Sequence, residues 1–401
     1  MLCRNRDRVL NHVGAVSRRL ALVNQLQKDK KNLDILERHF LNEISTEEAV
    51  GSLFLKREEG SRNPEQGMDE DSLDNFIKRH LIEFHPCDAC NLRCIGCTYF
   101  QDTGSRPKAI SYPFDQLIKI SSLIKPDAIT IAGGGEPAFY RSGRYRLGDL
   151  ICVLGSGDLG ISPAIGLMTN GTVWPKGDRE WPQYLDWIRY SLDASSEQSY
   201  AKTKSKNYFN RVIENILRSL CETDIPQVGV GFIYRPENIA ECGSIISLFA
   251  KRIMEVCPSE LHRFNIQFRP WRQANGKPLI TEHTLSSKDI EKACLILFRY
   301  IDQSPFLEHF IRDNTNIAAN LLCGGAREEV KPFSECYFGL AKTVIRADGG
   351  LFPCFRTAAC RDPQFYSGNI ITDNSQKIAL RELYLSIISA RQICAPNHMG
   401  C

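Results

Sequence analysis

Apolar and polar positions follow two rhythms along this chain, and the change from one to the other marks out its elements. From residue 1 to about 56 the apolar positions fall three and four apart. Val9, Val13, Val16, Leu20, Val23 and Leu26 form one stripe with Arg and Lys between them. That period is helical. Ser45-Thr46-Glu47-Glu48 fits a capping box that opens a second short helix through Leu55. The stripe predicts an accessory helical layer or partner interface, with a substrate-recruiting module as the alternative. Residues 57–71 are charged and carry Gly60, Pro64 and Gly67, the composition of a linker. A short helix over 72–80 follows.

From Leu81 to about Tyr300 the rhythm changes to short apolar runs separated by helical stretches. The runs predict strands at Leu81–Phe84, Ala128–Ala132, Ala164–Met168, Trp187–Leu192, Gln227–Ile233 and Phe264–Phe268. Helices are expected over Phe114–Ile124, Leu147–Leu154, Phe209–Cys221, Ile239–Val256 and Lys288–Ile301. Repeated βα units of this length imply an α/β domain with a parallel sheet and its helices outside. In the last hundred residues the βα rhythm fades. Thr343 to Cys354 reads there as a hairpin: an apolar strand, an Asp348-Gly349-Gly350 turn and a returning strand.

The 401 residues are enough for two or three domains, and 43% hydrophobic content supplies a sizeable core. A net charge of +3 gives no case for nucleic acid or a membrane surface. No apolar run reaches the ~18 residues of a membrane span. The amino terminus is charged with no apolar stretch behind it, unlike a secretory signal. Sixteen cysteines in such a chain point to metal or redox chemistry rather than disulfides, and so to a cytoplasmic protein. Cys152, Cys221, Cys242, Cys257 and Cys294 fall on apolar helix faces and read as packing residues.

The densest chemistry is Cys90-Asn91-Leu92-Arg93-Cys94-Ile95-Gly96-Cys97, directly after the first strand. Zinc normally takes two Cys-x-x-Cys knuckles a dozen or more residues apart. Cys87-x-x-Cys90 and Cys94-x-x-Cys97 are too close for that. A four-iron cluster usually takes four thiolates, so a loop supplying three leaves one iron open. The spacing Cys-x3-Cys-x2-Cys resembles the signature of radical S-adenosylmethionine (radical SAM) enzymes. The resemblance implies a [4Fe-4S] cluster on Cys90, Cys94 and Cys97, with SAM chelating the open iron. It further implies reductive cleavage of SAM to a 5′-deoxyadenosyl radical that abstracts hydrogen from substrate, and a partial (β/α)6 TIM-like barrel. An aromatic residue often precedes the third cysteine in that family; here the position is Gly96, with Tyr99 or Phe100 as substitutes.

Gly133-Gly134-Gly135-Glu136-Pro137 ends the second strand, and glycines let a backbone approach a ligand. The run is similar to the family's Gly-Gly-Glu-Pro motif, which implies that Gly134, Gly135 and Glu136 seat the SAM amino group. Asn170, in the Thr169-Asn170-Gly171 turn, joins the candidate cofactor residues. Ser191 and Asp193 do so by motif position, near the SAM ribose or carboxylate. Arg235, Arg269 and Arg272 follow the fifth and sixth strands and are candidates for a substrate carboxylate or phosphate, or for rim ion pairs.

Cys336, Gly349 and Cys354 form a Cys-x12-Gly-x4-Cys pattern that resembles the opening of SPASM and shorter twitch domains, and Ser367-Gly368-Asn369-Ile370 matches the segment after it. The resemblance implies an auxiliary [4Fe-4S] cluster on Cys336, Cys354, Cys394 and Cys401. Cys323 or Cys360 could replace one of the four, and zinc is the alternative metal. The expected layout is a helical extension with linker over 1–80, a barrel over 81–302 and an auxiliary-cluster domain over 303–401. The function implied is a radical SAM oxidoreductase or isomerase, reduced by a flavodoxin or ferredoxin, that epimerises or crosslinks a ribosomal peptide. A dehydrogenase, epimerase or dehydratase of a small molecule such as an amino sugar is the alternative. A non-catalytic zinc- or cluster-binding protein is a third reading, from another class.

Overall fold

The computed structural model describes residues 81–99, 109–271, 286–318, 342–361 and 363–374, with short pieces at 34–35, 38–39, 43–45, 48–49, 377–378 and 381–382. The stripe from Val9 to Leu26 lies outside these residues. At Ser45 the expected cap is present, its hydroxyl accepting the Glu48 N–H at 3.1 Å.

Eleven strands are described: β1 (Leu81–Phe84), β2 (Ala128–Ile131), β3 (Arg141–Ser142), β4 (Tyr145–Arg146), β5 (Ala164–Thr169), β6 (Trp187–Ser191), β7 (Gln227–Tyr234), β8 (Phe264–Pro270), β9 (Lys342–Ile345), β10 (Gly350–Phe352) and β11 (Gly368–Asn369). The helices are α1 (Ile118–Leu123), α2 (Leu147–Gly155), α3 (Glu197–Lys204), α4 (Phe209–Cys221), α5 (Cys242–Val256), α6 (Ser287–Gln303), α7 (Pro305–Asn314) and α8 (Phe355–Cys360). Nine strands make one sheet in the order β11-β10-β9-β1-β2-β5-β6-β7-β8, and β3 and β4 form a small ribbon apart. β1, β2, β5, β6, β7 and β8 run parallel in sequence order, the arrangement of an open, partial (β/α)6 barrel.

Strand alternation sorts the side chains onto two faces. Ile82 and Phe84, Ile129 and Ile131, Ile188 and Tyr190, and Phe264, Ile266 and Phe268 are buried. They face the helices: Tyr190 Oη meets Ser219 Oγ of α4 at 2.5 Å, and the Phe264 ring packs 4.9 Å from Phe249 of α5. α4 returns Val212, Ile213, Ile216 and Leu220 to the same core, a helical stripe that the sequence pattern places correctly. On the opposite, inner face lie Glu83, Trp187, Arg189, Gln267 and Arg269, with Gly229 and Gly231 between them on β7.

Three helices, α3, α7 and the short α8, were not in the sequence pattern. α3 is mostly polar and has no stripe to read; Ser196 caps it, accepting the Ser199 N–H at 3.2 Å. α7 begins at Pro305 behind the Ser304 cap, immediately after α6 ends. The expected hairpin is present as β9 and β10, and β11 adds to it. Its position is new: β9 pairs parallel with β1, Leu81 opposite Lys342 and Phe84 opposite Ile345.

Cys221 and Cys257 correct the packing assignment, because they form a disulfide. They end α4 and follow α5, which brings their Cα atoms to 5.9 Å, within bonding range. Cys242 is buried as expected, and Cys152 and Cys294 pack against the core. Among the described residues no helix is long and apolar enough to cross a membrane.

Candidate active site at the carboxyl edge of the sheet

Chemistry in parallel α/β sheets gathers at the carboxyl ends of the strands, and the loops after β1, β2, β5 and β6 meet there. The β1 and β2 loops are joined by backbone: Gly135 N–H donates to Cys87 O at 3.0 Å and Glu136 N–H to Ala89 O at 2.7 Å. Gly135 has to be glycine for this approach, since a Cβ would stand 2.2 Å from Ala89 O. At Gly134 a Cβ would stand 2.3 Å from a carboxylate oxygen of Asp88.

Glu136 is buried and its carboxylate is already engaged. It accepts from Thr169 Oγ1 at 2.6 Å, from Asn170 N–H at 2.6 Å and from Ala138 N–H at 3.1 Å. A carboxylate has about four acceptor positions, so one remains. Burial raises the pKa of Glu136, and these three hydrogen bonds oppose it. Asn170 in turn reaches the cysteine loop, donating to Asn91 Oδ1 at 3.0 Å with Cys90 Sγ 4.0 Å away.

Four cysteines lie on the β1 loop, and their surroundings separate them. Cys87 is fully buried and its thiol donates to Glu136 O at 3.2 Å. Cys90, Cys94 and Cys97 are half-buried on the same loop. Burial pushes Cys90 up to about 11, and Glu136, Cys94 and Cys97 add to it. Burial also raises Cys94, with the Lys204 charge acting the other way. Among the described residues no three Cys, His, Asp or Glu side chains are drawn together as a ready-made metal site. The fit to a cluster is therefore one of donor chemistry: three soft thiols on one loop, whose protons a bound metal would displace.

Ser191 and Asp193, at the end of β6, form a network the sequence reading did not contain, because its centre is Lys204 of the unforeseen α3. Lys204 is buried, pairs with Asp193 Oδ2 and donates to Ser191 Oγ at 2.9 Å. Burial works against its charge, but Asp193 and Cys94 outweigh it and hold the ammonium above the ordinary lysine range. Asp193 sits at φ +57°, and its other oxygen accepts Ile233 N–H at 2.6 Å. At Gly96 (φ +76°) an added Cβ would stand 2.3 Å from Trp271 Nε1, so an indole from the end of β8 packs on the cysteine loop. Tyr99 turns instead to His85, 3.2 Å from Nε2, and Phe100 lies outside the described residues.

Asp88 links this loop to the hairpin, taking Arg346 at 3.3 Å and Arg361 at 3.1 Å. Arg235 is paired with Glu237 at 4.0 Å. Arg269 donates to Gln267, and Arg272 lies outside the described residues. Cys354 is half-buried at the start of α8, 3.6 Å from Thr357 Oγ1. Cys323, Cys336, Cys394 and Cys401 lie outside the described residues, as does the side chain of Cys360 on α8.

No protein-family profile matches the sequence, and comparison with curated proteins gives no match. Solved structures do match. Streptococcus suis SuiB bound to its precursor peptide SuiA aligns at TM-score 0.51 and 13% identity, over 81% of this chain and 72% of that one. The structure of anSMEcpe with bound AdoMet aligns at 0.49 and 16%, over 74% and 80%. HydG, a maturase of the [FeFe]-hydrogenase, aligns at 0.38 and 13%, over 75% and 70%. All three are radical SAM enzymes, and this chain shares the fold of SuiB.

Proposed function

We propose that this chain is a radical SAM enzyme that removes a hydrogen atom from a carbon of a peptide, and thereby epimerises or crosslinks it. The observation that carries the reading is the state of the β1 loop. Cys90, Cys94 and Cys97 stand half-buried at the carboxyl edge of the parallel sheet, while the fourth cysteine, Cys87, is buried and engaged. A four-iron cluster and SAM bound there would supply one-electron cleavage of SAM and a 5′-deoxyadenosyl radical that takes the hydrogen.

The chain's own residues then hold and orient. Cys90, Cys94 and Cys97 would hold the cluster as thiolates and would leave one iron for SAM. Gly134 and Gly135 keep the β2 loop against the cysteine loop, and Glu136 has one acceptor position for the SAM amine. Asn170 ties that carboxylate to Cys90, and Ser191 and Asp193 give a polar wall fixed by Lys204. Cys354 with Cys336, Cys394 and Cys401 would close an auxiliary four-iron cluster, and a flavodoxin or ferredoxin would deliver the electron in the cytoplasm. The peptide reading is supported by the precursor peptide bound to SuiB, whose fold this chain shares.

Anaerobic reconstitution of the wild type and of a Cys90→Ala, Cys94→Ala, Cys97→Ala variant tests the reading. About eight irons per chain should fall to about four, and 5′-deoxyadenosine release from SAM should vanish in the variant. No 5′-deoxyadenosine from the reduced wild type would overturn the enzyme assignment. Co-expression with short peptides encoded beside the gene tests the substrate: a crosslink removes two hydrogens from the peptide mass, and an unmodified peptide with a modified small molecule would redirect the assignment to the latter.

A further inference from the structure

Two arginines face into the partial barrel without a counter-charge among the described residues. Arg189 is the middle residue of β6 and Arg269 the penultimate residue of β8. Their flanking neighbours Ile188, Tyr190 and Phe268 point into the helix-covered core, so the alternation of the strands turns both arginines to the inner face. β7 lies between them and presents Gly229 and Gly231 on that face. A Cβ at Gly231 would stand 3.6 Å from Arg189 Cδ, which places the arginine stem directly beside the bare backbone. Paired glycines inside a strand weaken it and mark a place where something approaches the backbone closely.

Arg189 lies over the Trp187 ring at 5.5 Å, and its Nε is buried with no hydrogen-bond partner. Arg269 is exposed and donates to Gln267. Among the described residues neither arginine has a carboxylate partner. Burial and the charge of Arg269 hold the Arg189 guanidinium below its ordinary range. A half-buried cation beside a second one, with no anion among the described residues, is poorly compensated. A ligand anion removes that cost, and planar guanidinium forks match a carboxylate in two-point geometry.

We propose that Arg189 and Arg269, across the glycine floor of β7, hold a carboxylate of the substrate inside the barrel. This deepens the peptide-modifying reading given above and rests on it. Trp271, two residues beyond Arg269, packs on Gly96 of the cysteine loop, so the anion site and the proposed radical source share one wall. The carboxylate belongs to an acidic side chain or to the carboxyl terminus of the peptide.

Equilibrium dialysis with three blocked tripeptides separates these sources, using the reconstituted full chain. The probes are acetyl-Gly-Glu-Gly-amide, acetyl-Gly-Gly-Gly with a free carboxyl terminus, and acetyl-Gly-Gln-Gly-amide. One of the two carboxylate probes should bind about tenfold more tightly than the amide, and which one names the source. Arg189→Gln and Arg269→Gln should each bring that preference to within about twofold. Arg269 is exposed, so its variant keeps the test open if Arg189→Gln does not fold. Equal binding of the three probes, no binding below about 20 mM, or a preference that survives both substitutions overturns the site. Release of 5′-deoxyadenosine by the same preparations separates the two readings. Its absence with carboxylate preference intact removes the radical chemistry and leaves the anion site standing; its presence without the preference does the reverse.

Discussion

Glu136 shows how one side chain can serve two levels of the molecule. Its oxygens gather Thr169, Asn170 and Ala138, so it joins the loops after β2 and β5 before any ligand arrives. Glu136→Ala strands three buried donors and should cost about 3 kcal/mol in a denaturant titration. Glu136→Gln keeps one carbonyl oxygen and should cost less, yet should weaken SAM binding, because the last acceptor position is lost. Equal stability of the alanine variant and wild type would show that the loops hold each other without it. Gly135 is constrained more tightly still, since the atom a side chain would strike is the Ala89 carbonyl, which already accepts the Glu136 N–H. Gly135→Ala should therefore lower stability by about 2–4 kcal/mol, with the slope of the transition unchanged. Both residues were readable as a glycine turn with an acid. Lys204 was not: a lysine ending a polar helix has no sequence signal that it is buried, and only Asp193 across the loop reveals it.

At the scale of elements, the docking of β9 on β1 depends on charges that titrate. Glu83 on β1 bonds His85 Nε2 at 2.9 Å and pairs with Lys342 of β9. Burial would raise its pKa, but the His85 hydrogen bond and charge and the Lys342 ammonium outweigh it and hold it at about 2. An unfolded glutamate titrates near 4.3, so the pair contributes above that pH, and the contribution is lost as pH falls from there toward about 2. The amount is about 3 kcal/mol. Glu83→Gln should lose stability at pH 7 and flatten the profile between about pH 4.3 and about 2; an unchanged profile would place the acid sensitivity elsewhere. Tyr99 and Arg346 also face this corner and are retained in the variant. The six barrel strands were legible because each is a short apolar run whose period the sheet obeys. The β9–β1 pairing was not, because Glu83 and Lys342 stand 259 residues apart and no local pattern records a partner at that distance.

For the whole molecule, that pairing changes what the carboxyl-terminal region is. The hairpin is a continuation of the barrel's sheet: β9 covers the edge of β1, and His85 N–H donates to Ile345 O at 2.8 Å. It also brings the cations of two carboxylates. Lys342 answers Glu83, while Arg346 and Arg361 answer Asp88, whose side chain is 1% exposed and sits against the turn that carries Gly134. A chain ending at residue 318 would leave β1 as an open edge, with unpaired backbone groups and two buried acids short of a counter-charge. Open edges recruit other chains, and a buried ion pair stripped of one partner costs about 3–5 kcal/mol. The shortened chain should run as aggregate on size exclusion. Asp88→Asn in the full chain isolates the charge term from the edge term. It should elute as the wild type does but melt earlier, because the amide leaves Arg346 buried without its anion. If the shortened chain instead stays free of aggregate and melts like the full one, the hairpin is an addition the barrel does not need. The cysteine loop would then owe its shape to β1, β2 and β5 alone.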